Sequence, residues 1–448
     1  MADRSIDAGI QRRRLALVSL AFVFVATFLG LRLIQKQVFE HPTYRALAQD
    51  QQFERKSISG KRGKILVKDG VGKQTYPAAT NQTLYALTVV PSQVADKKEV
   101  ADELAKYTDL SADFIFEQIN NSKQYIPPLK HKLTHEEAQK IEELKIEGVA
   151  VEPEETRFYP EDGMAAQVLG FVNNDGEGQY GIESYYNDLL APKSGIQGQT
   201  KDAQGNEVAL GASDYTPPKD GDTVVLTIDR NVQYQAEQAL DRAMQKFSAT
   251  GGSIIVMDPK TGGIVAMAAH PTYDPNGFVL GFDDAGWARL NDESLRPLWN
   301  RATQFTYPSG SIFKIITATA GVEKLGMNGS TVIPCPAQYS LPGAPNVWRD
   351  WTFPNAQGPL TLQNAITQSC NTAFISQASR LSGTDLFDAG VSLGIGLDHD
   401  LGFPAYFGKT DPDLDSETGA AAQLIGQGTI LASPMAMATV IASVQQGA

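Results

Sequence analysis

The chain opens with its most continuous apolar stretch. Residues 15–31 carry no charged side chain, and Leu33 and Ile34 extend the run to about the 20 residues that a helix needs to cross a bilayer. We favour an uncleaved anchor over a cleaved signal peptide, because the run is long for a signal sequence and no small-x-small cleavage site follows it. The pattern therefore predicts one transmembrane helix over residues 15–35.

Basic residues set the expected topology of this anchor. Four arginines precede the apolar run, namely Arg4, Arg12, Arg13 and Arg14. Because positively charged flanks stay in the cytoplasm, residues 1–14 are expected to form a cytoplasmic tail. The chain is then a single-pass protein of the cytoplasmic (inner) membrane, and everything after about residue 36 is expected to be extracytoplasmic or periplasmic.

The following region mixes strand-like and helix-like patterns. Residues 62–90 are rich in β-branched and aromatic residues with turn formers, which favours short strands. Residues 98–146 look helical, and Thr134 with Glu137 has the spacing of a capping box at a helix start. Residues 149–159 alternate in polarity again, as a half-buried strand does.

A change of composition marks the main domain boundary. Residues 192–221 are rich in Gly, Lys, Asp and Pro, which is typical of an exposed connector. We therefore place the boundary near Pro218, with one domain over residues 36–217 and a second over residues 218–448.

The second domain begins with a clear succession of elements. Residues 224–228 read as a strand and residues 232–247 as a helix. Two apolar strands, 253–257 and 263–268, then flank the turn Asp258–Gly262, which is a hairpin signal. Helical and loop segments follow. Strands that cluster before helices favour an α+β fold over a doubly wound one.

Composition narrows the function classes. The chain has 448 residues and a formal net charge of -13, and no basic cluster lies outside its N-terminus. Nucleic acid is therefore not expected as a partner. Its two cysteines, Cys335 and Cys370, are too few for a disulfide framework. They could pair, but we favour two buried small hydrophobic residues.

Candidate chemistry lies in the run Ser311-Ile312-Phe313-Lys314, which puts a hydroxyl and an amine one helical turn apart. Lys314 is the only charged residue over 311–322, so its helix should be buried nearly all round. Burial lowers the pKa of an amine toward the range of a general base. Ser311 then reads as a nucleophile and Lys314 as its base. The competing interpretation is a helix-capping serine with a lysine that reaches solvent.

A second triplet, Ser369-Cys370-Asn371, begins 55 residues after Lys314. The Ser369 hydroxyl can relay a proton between Lys314 and a leaving group, and the Asn371 amide can orient a substrate peptide group. A helix-end cap is the competing interpretation of this triplet alone. Together the two runs favour a serine acyl-transfer enzyme.

With these residues in place, the chain resembles the class B penicillin-binding proteins, the monofunctional transpeptidases of the elongation or division type. The shared landmarks run along nearly the whole chain, and their order and spacing are more specific than any single one. In the first part they are Arg62-Gly63-x-Ile65, Asn81, Tyr85, Arg157-x-Tyr159-Pro160, Gly170 and Gly181-Ile182-Glu183. In the second part they are Thr227-Ile228-Asp229, Gln233, Asp258-Pro259, Tyr273-Asp274-Pro275-Asn276, Asn300-Arg301-Ala302, Pro308-Ser309-Gly310-Ser311, Gly426-Gln427-Gly428 and Ser433-Pro434.

The resemblance implies a particular architecture. Residues 218–448 would form a penicillin-binding/β-lactamase-like transpeptidase domain, an antiparallel sheet flanked by helices. Residues 36–217 would form the β-rich, elongated dimerisation or pedestal domain, behind the single N-terminal transmembrane helix.

It also implies an activity. Ser311 would be acylated by a peptidoglycan stem peptide ending in D-Ala-D-Ala, and an amine of a neighbouring strand would take the acyl group to form a crosslink. Gly310 and Cys370 would help bind the substrate, and β-lactams would acylate the same serine. The expected protein partner is a polytopic membrane glycosyltransferase, and no cofactor is needed.

One family motif is not where the resemblance requires it. The only Lys-Thr-Gly is Lys260-Thr261-Gly262, which precedes Ser311 and lies in the predicted hairpin turn, whereas the family's active-site triplet follows the Ser-x-Asn motif. We expect the sequence to be truncated before that strand, and the 448-residue chain to be inactive as it stands.

No metal is expected. Some elongation-type members carry zinc near the active site, and Cys335 and Asp350 are present here, but no histidine lies between Asp350 and Ser369. The alternatives left open are a β-lactamase or β-lactam sensor, a D,D-carboxypeptidase, and a non-catalytic membrane scaffold of the cell-wall synthesis complex.

Overall fold

The computed structural model describes residues 3–41, 53–70, 74–121, 126–200, 213–342, 346–396, 401, 405–406 and 417–447. Residues 1–60 with 192–219 form one compact unit, and residues 61–191 with 220–448 form another.

The described residues form helices and strands of mixed order along the chain. The helices are α1 (Asp3–Ile34), α2 (Lys97–Leu104), α3 (Ala112–Asn121), α4 (His135–Glu143), α5 (Ala166–Leu169), α6 (Gly181–Tyr185), α7 (Asn187–Leu190), α8 (Arg230–Phe247), α9 (Gly277–Leu280), α10 (Asp284–Leu290), α11 (Lys314–Leu325), α12 (Leu362–Thr367), α13 (Asn371–Ile375), α14 (Gly383–Ser392), α15 (Glu417–Gln423) and α16 (Pro434–Gln446), with a π-helical turn at Gln35–Phe39 and a 3-10 turn at Gly310–Phe313.

The strands are β1 (Phe53–Ile58), β2 (Ile65–Asp69), β3 (Gln74–Val89), β4 (Lys130–Leu133), β5 (Val149–Phe158), β6 (Phe171–Val172), β7 (Gly178–Gln179), β8 (Gly195–Thr200), β9 (Ser213–Thr216), β10 (Val224–Asp229), β11 (Gly252–Met257), β12 (Ile264–His270), β13 (Val332–Cys335), β14 (Gln338–Ser340), β15 (Val347–Arg349) and β16 (Gly358–Thr361).

The N-terminal unit contains the predicted anchor. Among the described residues one segment, Arg14–Phe39, is long and apolar enough to cross a membrane, with a mean hydropathy of 2.3 and none of its apolar window buried within the protein. Large side chains such as Phe22 and Phe24 are more than 70% exposed, which suits a lipid environment and not water. The same unit holds the antiparallel sheet β1-β8-β9.

The second unit starts with a five-stranded mixed sheet. Strand β10 runs parallel to β2, β2 pairs with β3, and β3 pairs with both β4 and β5. The prediction of helix throughout residues 98–146 was wrong at β4. Leu133 is fully buried there and pairs with Tyr85 of β3, so tertiary packing overrides the local pattern. The predicted capping box of Thr134 and Glu137 is present at α4.

A buried charge cluster explains several of the landmark residues in this region. Glu183 is fully buried and accepts hydrogen bonds from Arg62 Nε at 2.8 Å, Arg157 Nε at 2.7 Å and the Tyr159 hydroxyl at 3.2 Å. The backbone of Tyr159 exchanges two hydrogen bonds with the Asn276 side chain, at 2.9 and 3.0 Å. Buried hydrogen bonds and ion pairs therefore join the first sheet region to the later residues.

The predicted hairpin is present as β11 and β12. Helix α8 packs on β12, where the buried Gln233 side chain exchanges hydrogen bonds with the backbone of Met267, and α16 packs on β11. The turn between the strands contains Lys260, Thr261 and Gly262, all of which are exposed. The fold class is thus α+β, with helices against an antiparallel pair of strands.

The largest core cluster holds the first turns of α11 in place. Phe313 and Ile316 are fully buried against residues from the C-terminal segment, among them Leu424 and Ile430. The prediction that this helix is buried nearly all round is confirmed for its middle. Ile312, in the 3-10 turn before α11, and Val322, in the last turn of α11, are about half exposed, at 50% and 47%.

Candidate active site

The turn that carries Ser311 is shaped by two glycines. Gly310 has a φ of +60°, which favours glycine, and its N–H donates to the carbonyl of Gly426 at 2.8 Å. A Cβ at Gly426 would lie 2.1 Å from the Gly310 carbonyl oxygen, so only glycine permits this approach. The Thr317 hydroxyl adds a hydrogen bond of 2.8 Å to the carbonyl of Leu424. The Gly426-Gln427-Gly428 landmark therefore supports the Ser311 turn.

Ser311 is exposed on this turn, whereas Lys314, one turn later, is only 1% exposed. Burial lowers the pKa of Lys314 to about 8, and the negative charge of Asp350 acts in the opposite direction. A buried amine without a directly contacting carboxylate is costly in its charged form. Lys314 is therefore poised to lose its proton near neutral pH.

The amine of Lys314 joins the two sequence motifs in one site. It lies 3.2 Å from Ser311 Oγ, 2.9 Å from Ser369 Oγ, 2.7 Å from the carbonyl oxygen of Ser369 and 2.7 Å from Asn371 Oδ1. The four residues singled out from the sequence thus meet around a single nitrogen atom.

These distances indicate what a neutral amine would do at this position. The carbonyl oxygens of Ser369 and Asn371 can only accept, and they are the two nearest partners. A neutral amine has two protons, which those oxygens would take, and one lone pair. The lone pair is then left for a hydroxyl proton, and the hydroxyls of Ser311 and Ser369 both lie close enough to donate to it in turn.

The Ser369-Cys370-Asn371 turn has a strained backbone. Ser369 has a φ of +52°, a conformation that residues with a side chain rarely adopt. It lies between α12, which ends at Thr367, and α13, which begins at Asn371. Such strain persists only where the surroundings hold it, and the contacts below supply that support.

One of those supports is a disulfide bond between Cys335 and Cys370. The sequence favoured two buried, unpaired cysteines. Their burial is confirmed, because Cys335 is 1% and Cys370 is 0% exposed, but the prediction that they do not pair is wrong. The two cysteines lie 35 residues apart, and the packing of β13 against β16 and α13 brings them together. Gly310 and Cys370, expected to bind substrate, are absent from the side chains that line the cavity described below, and Cys370 is enclosed by the core.

The disulfide bears on the question of a metal. Donor atoms of Cys335, Asp350 and Cys370 lie within 4.8 Å of one another. The two sulfur atoms are bonded to each other, and both oxygens of Asp350 accept hydrogen bonds from protein groups. As arranged, these residues offer no free thiolate and do not fit a zinc ion.

Sequence reasoning missed the part of two residues in the site: it named Asp350 only as a possible zinc ligand, and it did not name Trp351. Asp350, 3% exposed, accepts the Asn371 backbone N–H at 2.8 Å, and the indole of Trp351 donates to the carbonyl of Gln368 at 3.0 Å. Trp351 is 67% exposed. The signal that could have suggested Asp350 is its place in an apolar, aromatic stretch, where a carboxylate needs partners.

An open cavity of about 630 Å³ lies over these groups. Its lining consists of Ser311, Trp351, Thr367, Gln368, Ser369 and Asn371. Both hydroxyls and the Asn371 amide therefore share one solvent-accessible space.

Comparison with protein families matches both halves of the chain. Residues 252–447 match the penicillin binding protein transpeptidase domain, and residues 57–226 match the penicillin-binding protein dimerisation domain. A serine–lysine site in the first kind of domain, joined in one chain to the second kind, defines a penicillin-binding protein.

Individual relatives support the same family assignment. Stage V sporulation protein D of Bacillus subtilis is 31% identical over 391 residues, which cover 86% of this chain and 57% of the relative. The peptidoglycan D,D-transpeptidase MrdA of Escherichia coli K12 is 26% identical over 403 residues, which cover 84% of this chain and 61% of the relative. A chain in a solved peptidoglycan synthase complex superposes with a TM-score of 0.69 at 26% identity, covering 97% of this chain and 78% of that one.

The chain belongs to the class B penicillin-binding proteins. It spans about three fifths of the length of the two curated relatives, 57% and 61%. Membership of this family and the apolar N-terminal helix together indicate a membrane-anchored protein.

Proposed function

We propose that the full-length gene product is a serine-type D,D-transpeptidase that crosslinks peptidoglycan stem peptides. One observation carries this proposal: the Lys314 amine lies within 3.2 Å of Ser311 Oγ while the Ser369 carbonyl and Asn371 Oδ1 occupy its donor positions. The relationship to MrdA, whose name states this activity, supports the choice of substrate.

In the acylation step Ser311 is the nucleophile. Its Oγ attacks the carbonyl carbon between the two terminal D-alanines of a stem peptide, and its proton passes to Lys314 Nζ, the general base. The tetrahedral intermediate then collapses and the carbon–nitrogen bond breaks. The departing D-alanine takes a proton from the Ser369 hydroxyl, which Lys314 replenishes, so Ser369 is the proton relay.

In the second step the ester on Ser311 is attacked by an amine of a neighbouring stem peptide. Lys314 and Ser369 accept the amine proton and return one to Ser311 Oγ. Asn371 orients the peptide by its side-chain amide. Gly310 and Cys370 shape the substrate site through the backbone. Gly310 permits the Ser311 turn, and Cys370 fixes the backbone between Ser369 and Asn371. A β-lactam follows the first step and stays bound as a stable ester.

A labelled penicillin tests the proposal directly. The purified full-length gene product in detergent is expected to become covalently labelled at Ser311, and Ser311→Ala is expected to abolish the label. Ser309→Ala is the matched control, because it removes a hydroxyl from the same turn that has no hydrogen-bond partner among the described residues. Equal labelling of Ser311→Ala and wild type would refute the assignment of the nucleophile.

The lifetime of the label separates the transpeptidase from its rivals. A label that persists for many minutes agrees with the proposal, whereas release within seconds indicates a β-lactamase. Analysis of products made from stem peptides separates crosslinked from trimmed peptides and so identifies a carboxypeptidase. Unchanged crosslinking and growth after Ser311→Ala in the intact gene would indicate a scaffold.

The setting of the enzyme follows from the same proposal. We infer a single-pass protein of the cytoplasmic membrane with residues 1–14 inside, a pedestal over residues 36–217 and a transpeptidase domain over residues 218–448 outside. A polytopic membrane glycosyltransferase is the proposed partner, and the similarity to a chain of a peptidoglycan synthase complex supports it. Labelling of introduced cysteines with a membrane-impermeant maleimide tests the topology, because residues beyond 36 should react in intact spheroplasts or protoplasts.

A further inference from the structure

Asp350 is a buried carboxylate to which the proposed mechanism gives no part. We propose that it is a positioning residue, which holds Asn371 and the strained Ser369 turn in the geometry that reaches Lys314. This inference rests on the proposed function, because its consequence is measured as the rate at which Ser311 is acylated.

The hydrogen bonds of Asp350 divide its two oxygens between different tasks. Oδ1 accepts the backbone N–H of Asn371 at 2.8 Å. Oδ2 accepts the Thr352 hydroxyl at 2.8 Å and the Gln357 amide at 2.7 Å. Thr352 and Gln357 thus fix the carboxylate, and the fixed carboxylate fixes Asn371.

The carboxylate is ionised in this position. Burial alone would raise the pKa of Asp350, but hydrogen bonds from Gln357, Asn371 and Thr352 outweigh it and lower the pKa below its usual range. An ionised acceptor makes a stronger hydrogen bond to a backbone N–H than a neutral acceptor does. The Asn371 N–H is at the start of α13, where no helical carbonyl is available to it.

The Ser369 turn is held from both sides by neighbouring residues. Asp350 contacts Asn371, which follows the turn, and Trp351 contacts the carbonyl of Gln368, which precedes it. The backbone N–H of Asp350 in turn donates to the carbonyl of Ala337 at 3.0 Å, which anchors the pair to the protein. A φ of +52° is unfavourable for serine, and these contacts add to two hydrogen bonds at the end of α12, from Ser369 N–H to the Ile366 carbonyl and from Cys370 N–H to the Ala365 carbonyl, both 3.0 Å.

Loss of the contact should act on chemistry and not on substrate capture. The Ser369 carbonyl and Asn371 Oδ1 are the two groups that take the protons of a neutral Lys314 amine and so aim its lone pair. If the turn relaxes, those acceptors move and the base loses its orientation toward Ser311. Displacements of about 1 Å in such groups cost roughly 100-fold in rate.

Two substitutions test this. Asp350→Ser leaves a polar group that is too short to reach Asn371, and it is expected to lower the acylation rate constant by about 30-fold without changing the dissociation constant of the initial penicillin complex. Asp350→Asn keeps an acceptor at the Oδ1 position, and it is expected to acylate within about threefold of wild type at roughly pH 9, where Lys314 is neutral.

Ser382→Ala is the control for stability. It removes the N-cap of α14, whose side-chain hydrogen bonds are made with Asp385 and not with the Ser369 turn, so it should lower the melting temperature while leaving acylation unchanged. Rates come from rapid-mixing measurements with a chromogenic β-lactam over a range of concentrations, which separate binding from acylation.

Three outcomes would overturn the proposal. They are wild-type acylation by folded Asp350→Ser, a tenfold or larger loss of acylation in Asp350→Asn, and a loss of acylation in Ser382→Ala equal to that in Asp350→Ser. If Asp350→Ser does not fold, a tenfold or larger loss of acylation in Asp350→Asn still overturns the proposal. Failure of the proposed function is distinguishable, because it is read from the wild-type protein alone: no label on Ser311, release of the label within seconds, or trimmed instead of crosslinked peptides.

Discussion

The lowered pKa of Lys314 predicts how the rate of Ser311 acylation depends on pH. If Lys314 is the base, only its neutral form accepts the Ser311 proton. The rate of acylation by a penicillin should therefore rise with pH and follow the titration of this one amine, whose pKa is about 8. The matched perturbation is Lys314→Arg, which keeps a cation of similar length that does not deprotonate in the working range.

The magnitude follows from the pKa. An amine with a pKa of about 8 is neutral in roughly one molecule in ten at about pH 7, whereas an ordinary lysine with a pKa of about 10.4 is neutral in roughly one in 2,500. Burial of Lys314 thus increases the neutral population about 250-fold. Below about pH 7 the rate should fall tenfold per pH unit, since protonation removes the base.

The assay is the second-order rate constant for acylation, measured with a labelled penicillin between about pH 6 and pH 9.5. A plateau is expected above about pH 9, with half of the maximal rate near pH 8. Hydrolysis of the free penicillin is subtracted with a Ser311→Ala sample at every pH. Lys314→Arg is expected to be slower by at least about 1,000-fold at all pH values, because it supplies no lone pair.

Three results would refute this reasoning. A rate that is flat from about pH 6 to pH 9 would mean that Lys314 does not change its protonation state in the rate-limiting step. A midpoint near that of an ordinary lysine would mean that the amine is hydrated in solution and that the burial around Phe313 and Phe374 does not persist. Appreciable acylation by Lys314→Arg would remove Lys314 from the role of base altogether.

Three further predictions concern the support of the site. Glu183→Gln should lower the free energy of unfolding by about 3–5 kcal/mol in urea titrations, because two buried guanidinium groups lose their carboxylate; the half-buried Glu161 makes a matched control, and Glu161→Gln should cost less than about 1 kcal/mol. Replacement of Cys335 and Cys370 by Ala should cost about 3–4 kcal/mol for a loop of this length, and a reducing agent should then add nothing to the effect of denaturant. Asn371→Ala should slow acylation about 10- to 100-fold, because Lys314 loses an acceptor 2.7 Å away; a rate within twofold of wild type would argue against that contact.

Local sequence patterns predicted the elements that carry the nucleophile. The apolar run after Ser311, the hairpin around Asp258–Gly262 and the capping box at Thr134 each depend on residues within a few positions of one another, and each is present. The same locality explains the error at β4. Its four residues become a strand only because β3 lies beside them, which no pattern within residues 98–146 reveals.

The Ser-x-Asn turn shows where sequence reasoning stopped. Its residues were predicted to act with Lys314. The disulfide, the hydrogen bond from Asn371 to the Asp350 carboxylate and the positive φ of Ser369 were not predicted. Each of these depends on a partner at least 17 residues away or on a backbone angle that the residue type disfavours. Such features are set by tertiary structure and are invisible to periodicity.

The chemistry of Lys314 is itself such a non-local property. Its helix supplies the burial that lowers the pKa of the amine, but the acceptors that orient its lone pair come from residues 369 and 371, and the charge that opposes the pKa shift comes from Asp350. A serine and a lysine one turn apart are common and usually inert. They become a nucleophile and a base only where a second segment, held in a conformation it would not adopt alone, fills the donor positions of the amine. Beyond Ser311 and Lys314 themselves, the part of this site most sensitive to substitution should accordingly be the support of the Ser369 turn.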